Sequence, residues 1–169
     1  MIVYTGGSFD LFHIGHLELL QACRQLAGAD GRVVVSLNTD EFISAYKGRP
    51  PVQTFAVRAE VLRACRFVDM VVANVDGADS KPAIEVVRPD LLVIGDDWLD
   101  PGNDERRYHA QLDVTPEWLA ERGLGIAYIP RTRGTSTTRL RDYLEEPESP
   151  PSEPPRPSWR VENGRVVHA

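Results

Sequence analysis

The chain has 169 residues and a formal net charge of −6. Its length fits one folded domain with a short appendage, and such a domain buries roughly 70% of its unfolded surface. The negative charge disfavours a protein that coats nucleic acid, because such proteins are usually basic. No apolar stretch approaches the length of a membrane span and the N-terminus lacks a signal-peptide pattern, so we expect a cytoplasmic protein.

Five short runs rich in β-branched residues recur along the chain without alternation of polar and apolar positions. Such runs are typical of strands buried on both faces of a parallel sheet. They lie at residues 2–5, 32–37, 70–74, 91–94 and 125–129. Helical patterns separate them, at residues 16–27, 56–66, 80–88, from 115 onward and at 136–145. This alternation predicts an α/β fold, Rossmann-like and doubly wound, in which ligands bind beyond the carboxyl ends of five parallel strands.

The composition changes after residue 146, where proline, serine and acidic residues predominate. We therefore predict a main domain at residues 1–146, an extended Pro-rich linker at 147–158 and an appendage at 159–169.

The appendage carries a hairpin signal, an Asn-Gly pair at residues 163–164 between short apolar runs. A type I′ turn at this pair would place Val161 opposite Val166 and Trp159 opposite His168. Because a lone hairpin is marginally stable in water, we expect it to dock on the main domain or on a neighbouring subunit.

A phosphate-binding signal follows the first predicted strand, in the segment GGSFDLFHIGH at residues 6–16. Gly7 lets the backbone turn tightly and lets a ligand approach closely. His13 and His16 are three apart across a helix start, so both imidazoles share one face, with Gly15 leaving room between them. A helix N-terminus offers N–H groups and partial positive charge, which suit an anion. Each histidine alone would more simply be a helix cap, but HxGH directly after strand–Gly–Gly favours a phosphate site.

A second helix start with anion-binding character follows the fifth predicted strand. Arg131 can neutralise a β- or γ-phosphate. Ser136 and Thr137 can hydrogen-bond phosphate oxygens or cap the helix, and Ser136 alone suits either role equally. The fourth strand ends in GDDW at residues 95–98, which we expect at the same edge of the sheet.

These motifs together resemble a known family. GSFDLFHIGH resembles the signature of the HxGH nucleotidyltransferase superfamily, and GDDW followed by RTRGTSTT resembles the glycerol-3-phosphate cytidylyltransferases. The resemblance runs from about residue 2 to residue 144. It implies transfer of a cytidylyl group from CTP to glycerol 3-phosphate, giving CDP-glycerol and pyrophosphate. The HIGH string also resembles class I aminoacyl-tRNA synthetases, but the chain is too short for an added tRNA-binding domain and has the wrong net charge for tRNA.

The resemblance implies a role for each matching residue. The catalytic group would be His13, His16, Lys47 and Arg131. The nucleotide would be bound by Gly7, Ser8, Phe9, Asp10, Gly15, Gly95, Asp96, Asp97, Trp98, Arg131, Thr132, Ser136 and Thr137. The acceptor would be bound by Asp40, Lys47, Arg58 and Arg66. The structural alternatives are core packing for the tryptophan, a solvated surface for the lysine and a salt bridge for each acceptor-site arginine.

The resemblance also implies Mg²⁺ held mainly through the nucleotide phosphates, and a homodimer. Two departures from the family concern the site. Gly6 stands where close relatives usually have an aromatic residue, and Lys47-Gly48-Arg49 replaces a lysine-rich stretch, which leaves the acceptor open. The alternatives are therefore ATP in place of CTP, another acceptor such as phosphocholine, phosphoethanolamine or a polyol or sugar phosphate, or a non-catalytic nucleotide-binding module.

Overall fold

A computed structural model describes residues 1–96, 114–130, 135–145 and 159–168 of the chain. The strands in these ranges are β1 (Ile2–Gly7), β2 (Arg32–Asn38), β3 (Met70–Asn74), β4 (Leu91–Gly95), β5 (Gly125–Ile129), β6 (Trp159–Glu162) and β7 (Arg165–His168). The helices are α1 (Ile14–Ala27), α2 (Asp40–Lys47), α3 (Phe55–Arg63), α4 (Lys81–Val87), α5 (Pro116–Glu121) and α6 (Thr137–Glu145). The predicted linker at 147–158 lies outside the described residues, and the three-part division of the chain stays a prediction.

The main sheet has five parallel strands in the order β3-β2-β1-β4-β5. The predicted Rossmann-like doubly wound fold is thereby confirmed. Successive strands add outward on one side of β1 up to β3, and the chain then returns to place β4 on the other side. The crevice between the carboxyl ends of β1 and β4 is therefore the switch point at which ligands bind in open α/β sheets.

Burial on both faces explains the sequence of the strands. In β2, five consecutive residues from Val33 to Leu37 are buried. Val33, together with Val3 of β1 and Val93 of β4, packs in the hydrophobic layer that contains α1. Val34 packs in the opposite layer, with residues of α4 and α5. Because each strand needs apolar side chains on both faces, the runs lack the polar–apolar alternation of a half-exposed strand.

The helix α2 was not predicted from the sequence, although its end signals are present. The Thr39 hydroxyl oxygen accepts a hydrogen bond from the Phe42 backbone N–H (3.2 Å), and acidic residues occupy the first turn. Gly48 ends the helix in the left-handed conformation with φ of 67°. The helix predicted at residues 56–66 also ran too far, because α3 ends at Arg63. Among the described helices, none combines the length and the apolar character that crossing a bilayer requires.

The C-terminal hairpin forms with the predicted register. Trp159 pairs with His168 and Val161 with Val166, and positive φ angles at Asn163 (52°) and Gly164 (71°) fit a type I′ turn. Trp159 is 7% exposed and lies in the same apolar cluster as residues of α1, β1, β2, β4 and β5. The predicted docking of the hairpin on the main domain is confirmed, because this contact buries the tryptophan.

Candidate active site

A cavity of about 330 Å³ opens at the carboxyl ends of the central strands. Its lining comes from the ends of β1 to β5, from the starts of α1 and α6, and from α2. The predicted site residues in this lining are Gly7, Ser8, Phe9, His13, Gly15, His16, Lys47, Gly95, Ser136 and Thr137. The two predicted phosphate-binding helix starts therefore share one cavity.

The two histidines cap α1 reciprocally. Nδ1 of His13 accepts a hydrogen bond from the Gly15 backbone N–H (3.1 Å), and Nδ1 of His16 accepts one from the His13 backbone N–H (3.4 Å). The rings stack with centroids 3.8 Å apart and an interplanar angle of 22°. A neutral imidazole whose Nδ1 accepts carries its proton on Nε2. Capping and phosphate binding are thus compatible, because the cap uses one nitrogen of each ring and leaves the other as the N–H.

Burial lowers the pKa of His16 to about 3, with further contributions from the positive charges of His13 and Lys47 and an opposing one from Asp10. Phe9 and Phe12 flank the His16 ring, at centroid distances of 5.1 and 5.6 Å. His16 is therefore neutral at physiological pH and acts as a hydrogen-bond donor rather than as a cation.

The loop between β1 and α1 is strained at two apolar residues. Phe9 and Leu11 have positive φ angles of 47° and 48°, a region that bulky residues rarely adopt. Phe9 is 3% exposed and packs against Leu20 and Val35. A side chain at Gly7 would lie 3.2 Å from a carbon of the Phe9 ring, so the glycine makes room for this packing. Sequence analysis did not find this strain, which is typical of loops at functional sites.

Lys47, near the end of α2, reaches back to the β1–α1 loop. Its Nζ donates a hydrogen bond to the Ser8 hydroxyl (3.3 Å). Burial lowers the pKa of Lys47, the cations Arg141, Arg49 and Arg58 lower it further, and Asp10 opposes them. Lys47 therefore brings a positive charge to the cavity wall beside the histidine pair.

Asp10, which was predicted to bind the nucleotide, lies behind the cavity wall and connects three segments of the chain through hydrogen bonds. It is 3% exposed and is not part of the cavity lining. Its carboxylate accepts hydrogen bonds from the backbone N–H groups of Val52 and Gln53 (both 2.9 Å) and from Arg141 (2.8 Å). Burial acts to raise the pKa of Asp10, but these three donors together hold it below its usual value of 3.8.

The same residue anchors the start of α6. The Thr137 hydroxyl donates to the Asp10 backbone carbonyl (2.8 Å), and Arg141 follows one helical turn later. Ser136 lines the cavity and also accepts from the Arg139 backbone N–H (3.1 Å), so it caps the helix as the structural alternative proposed. Arg141 was missed by sequence reasoning, although its spacing of four from Thr137 places both on one helix face.

Arg58 and Asp40, predicted to bind the acceptor, are instead engaged with each other. Arg58 is 1% exposed, and its guanidinium makes four hydrogen bonds, to the carbonyls of Gln53 (3.0 Å), Ser8 (2.5 Å) and Asn38 (2.9 Å) and to Asp40 (2.6 Å). Neither residue lines the cavity. Arg58 therefore joins three backbone segments at the carboxyl edge of the sheet and forms the salt bridge of the structural alternative, while the acceptor role of Arg58 and Asp40 stays a prediction.

Arg66, predicted to bind the acceptor, lies at the amino-terminal edge of the sheet, whereas the cavity lies at the carboxyl-terminal edge. It follows the end of α3 and precedes β3, so it lies near the amino ends of the strands, opposite the cavity. Its side chain is exposed and its guanidinium lies 4.8 Å from the centroid of the Phe67 ring. The helix α3 runs antiparallel to the strands and carries its last residues away from the cavity, and the acceptor role of Arg66 stays a prediction.

Four predicted residues, Asp97, Trp98, Arg131 and Thr132, lie outside the described residues. Asp96 follows the cavity residue Gly95 but does not itself line the cavity. Among lining residues that sequence analysis missed are Ser36, Asn38, Phe42, Tyr46, Asn74 and Ser80. These residues lie at the carboxyl ends of β2 and β3 or on the segments that follow, and this position in the sequence could have indicated that they line the cavity.

Within the described ranges, no group of three or more His, Cys, Asp or Glu side chains is placed to hold a metal ion. Glu18 is the one carboxylate among the cavity-lining residues that the structure describes. This donor set fits Mg²⁺ as an ion carried by phosphate oxygens and water rather than by a protein cage.

The family described as cytidylyltransferase-like matches residues 4–143. The chain is 38% identical over 144 residues to the FAD synthase of Pyrococcus horikoshii, covering 85% of this chain and 92% of that protein. It is 31% identical over 142 residues to the glycerol-3-phosphate cytidylyltransferase of Bacillus subtilis, covering 84% and 95%. It is 38% identical over 143 residues to the bifunctional protein HldE of Gluconobacter oxydans, of which it spans only 26%.

Among solved structures, a lipopolysaccharide core biosynthesis protein from Thermoplasma volcanium superposes with a TM-score of 0.56 at 21% identity. The match covers 78% of this chain and 96% of that one, and at this identity it supports the fold alone.

Proposed function

Because the chain belongs to the cytidylyltransferase-like family of nucleotidyltransferases, we propose that it transfers a cytidylyl group from CTP to glycerol 3-phosphate, giving CDP-glycerol and pyrophosphate. One observation above all supports this reaction. The paired imidazoles of His13 and His16 and the hydroxyl-bearing start of α6 line the same cavity, at the switch point of the sheet. Similarity to the Bacillus subtilis enzyme and the GDDW and RTRGTSTT segments support this substrate pair.

The reaction is an in-line displacement at phosphorus. An acceptor phosphate oxygen attacks the α-phosphorus of CTP, a new P–O bond forms, and the bond from the α-phosphorus to the bridging oxygen breaks as pyrophosphate leaves. The nucleophile is already an anion, so no general base is required. Catalysis consists of positioning the two substrates and stabilising the charge that builds on the phosphoryl oxygens.

Imidazole N–H donors suit this task. His16 is neutral, so its Nε2–H donates to an oxygen of the transferring group without the histidine having to gain or lose a proton, and the stacked His13 ring lies beside it as a second imidazole donor. The reciprocal cap holds both rings in fixed orientations before substrate binds, so little reorganisation is needed in the transition state. Lys47 supplies a full positive charge beside them, where two polyanions must come together.

The start of α6 would receive the triphosphate. Its backbone N–H groups and the Ser136 hydroxyl provide donors, while the Thr137 hydroxyl hydrogen is used by the Asp10 carbonyl and holds the helix start in place, and the helix dipole adds partial positive charge. The predicted partner Arg131 stays a prediction, as do Mg²⁺ on the phosphates and a homodimer. Mg²⁺ would neutralise part of the triphosphate charge.

A second candidate reaction is adenylyl transfer from ATP to FMN, which makes FAD. It is favoured by the 38% identity to the Pyrococcus horikoshii FAD synthase over nearly the whole of that protein. A non-catalytic nucleotide-binding module is disfavoured, because His13, His16 and Lys47 are all retained and gathered at one cavity.

The deciding experiment measures pyrophosphate release with the purified chain over a matrix of nucleotides and acceptors. CTP and ATP would each be paired with glycerol 3-phosphate, phosphocholine, phosphoethanolamine, a sugar phosphate and FMN, in the presence of Mg²⁺. We expect the highest kcat/KM for CTP with glycerol 3-phosphate. A clear preference for ATP with FMN would replace this proposal by the second candidate. Tight nucleotide binding without turnover of any pair would refute both.

A further inference from the structure

One half of the cavity is built from small polar side chains of β2 and β3. The sheet order places these strands on one side of β1, and β4 and β5, which lead to the start of α6, on the other. The β2–β3 half is lined by Ser36, Asn38, Phe42, Tyr46, Asn74 and Ser80. Under the proposed function the triphosphate binds at the α6 side, with Lys47 and the histidines in between, so the acceptor would bind in the β2–β3 half.

Asn74, like Ser36 in the same half, has a buried side-chain oxygen without a hydrogen-bond partner among the described atoms. It is 3% exposed and pairs in register with Asn38 of the neighbouring strand. Its Nδ2 donates to Oδ1 of Asn38 (3.0 Å) and to the Gly77 carbonyl (2.9 Å). These two bonds use both amide hydrogens and fix the orientation of the amide. Its Oδ1 has no hydrogen-bond partner among the described atoms, and a buried acceptor in that state calls for a donor from outside the chain.

Other buried oxygens near the cavity have the same requirement. Thr5 Oγ1 on β1 is buried and also lacks a hydrogen-bond partner among the described atoms. Ser36 Oγ on β2 lines the cavity, is buried and also lacks a hydrogen-bond partner among the described atoms. A simple alkyl phosphate would cover such oxygens without supplying donors, which is unfavourable, whereas a molecule with several hydroxyls supplies them.

The charge and the shape of the cavity lining further limit the chemical class of acceptor that this half can bind. Within the described lining the one carboxylate is Glu18 on α1, so this half offers no acidic partner for an ammonium head group. Phe42 and Tyr46 stack one helical turn apart on α2, with centroids 5.9 Å apart, and form an apolar side wall. Carbon-bound hydrogens of a polyol can pack on this wall while its hydroxyls face Asn74.

We propose that the β2–β3 half of the cavity recognises a polyhydroxylated acceptor phosphate through Asn74, whose Oδ1 accepts a hydrogen bond from an acceptor hydroxyl. Asn38 is a positioning residue, because its Oδ1 accepts one of the two amide hydrogens of Asn74 and so fixes which atom of that amide is left as the unpartnered acceptor. This assignment rests on the proposed function and adds to it the group that distinguishes a polyol phosphate from a simple alkyl phosphate.

The test removes the hydroxyl and the amide separately. With CTP held constant, kcat/KM is measured for glycerol 3-phosphate, for its two monodeoxy analogues and for n-propyl phosphate. We expect the wild type to lose on the order of 10- to 100-fold when the recognised hydroxyl is absent. For glycerol 3-phosphate, Asn74→Ala should lower kcat/KM by a similar factor. For the deoxy analogue that lacks the recognised hydroxyl, Asn74→Ala should have nearly the same kcat/KM as the wild type. The KM for CTP should not change. Gln25→Ala, which removes an exposed amide on α1, is the matched control and should behave as wild type.

Equal kcat/KM for all four acceptors in the wild type would overturn the assignment. It would also be overturned if removing the acceptor hydroxyl lowered kcat/KM by the same factor in Asn74→Ala as in the wild type. Asn38→Ala is a second variant in case Asn74→Ala does not fold, and it should weaken the discrimination between glycerol 3-phosphate and the deoxy analogue. Unchanged discrimination in Asn38→Ala would contradict its positioning role.

The proposed function can fail separately. Without turnover of any pair, calorimetric binding of glycerol 3-phosphate and n-propyl phosphate to the intact protein still tests Asn74, because equal affinities would overturn its role. Turnover of n-propyl phosphate with the same kcat/KM as glycerol 3-phosphate would overturn the assignment and leave nucleotidyl transfer standing.

Discussion

The Thr137 hydroxyl donates a hydrogen bond to the backbone carbonyl of Asp10 at 2.8 Å, across 127 positions of the chain. This bond joins the loop that carries the histidine pair to the helix whose start lines the opposite wall of the cavity. Arg141, one turn further along α6, reinforces the link through the Asp10 carboxylate. The two phosphate-binding segments are therefore held to each other directly, and several predictions concern this arrangement.

The Asp10 carboxylate should make stability depend on pH in the acidic range. Its folded-state pKa lies below the usual 3.8, so the unfolded chain takes up the proton first as the pH falls. The stabilisation is fully present above the unfolded-state pKa and is lost as the pH falls through the folded-state pKa. The free energy of unfolding from urea titrations, measured between pH 6 and pH 3, should fall less steeply for Asp10→Asn than for the wild type. Parallel curves would show that Asp10 makes no such contribution.

The two nitrogens of His16 have separable roles. His16→Asn keeps an oxygen near Nδ1 for the His13 backbone N–H but removes the Nε2 donor, so it should fold normally and lose on the order of 100- to 1000-fold in kcat. His16→Gln places an amide N–H near Nε2 and should retain more activity than His16→Asn. Steady-state kinetics measures kcat for both variants, and thermal unfolding checks that each variant is folded. Near-full activity in His16→Asn would refute the catalytic role.

The neutral state of His16 should appear in its titration. Burial lowers its pKa to about 3, so NMR signals of its ring nitrogens in the free protein should stay those of the Nε2–H form from pH 8 down to pH 5. An exposed histidine would titrate near 6.5. Because the unfolded chain binds this proton first, His16 should also reduce stability as the pH falls below about 6.5. A midpoint near 6.5 for His16 would contradict the burial argument.

Arg58 should be a stability residue. Arg58→Ala leaves the Asp40 carboxylate and three loop carbonyls without their donor, and breaking a buried pair in this way costs about 3–5 kcal/mol. Arg63→Ala on the same helix is the matched control. It removes an exposed i,i+3 contact with Glu60 and should change the free energy of unfolding by less than about 0.5 kcal/mol. Chemical denaturation of both variants measures the difference, and equal effects would contradict the interpretation.

Lys47 and Arg66 offer a comparison between a cation at the cavity and one at the far edge of the sheet. Lys47→Ala should lose on the order of 100-fold in kcat/KM, because it removes a positive charge beside the reacting phosphates. Arg66→Ala should retain near-wild-type kinetics. Initial rates at varied acceptor concentration test both, and a large rise in the acceptor KM of Arg66→Ala would show that the arginine reaches the acceptor after all.

The parallel sheet, the histidine pair at the start of α1 and the C-terminal hairpin could all be predicted from the order of residues alone. Each is encoded locally: strands buried on both faces need continuous β-branched runs, HxGH needs only a helix start, and an Asn-Gly turn fixes its own register. The sequence also held the capping signals of α2, at Thr39 and Gly48, although these were overlooked.

Which charged side chains line the cavity could not be predicted from the sequence, because it depends on how distant segments pack together. Arg58, Arg66 and Asp10 were all plausible ligands by residue type, but α3 buries the first and carries the second to the opposite edge, while Asp10 turns inward to bind Arg141. The unpartnered oxygen of Asn74 is likewise a product of folding, because Asn38 and the Gly77 carbonyl together use both hydrogens of its amide. A side chain's chemistry is local, but its access to a ligand depends on partners that are distant in sequence, and only folding specifies them.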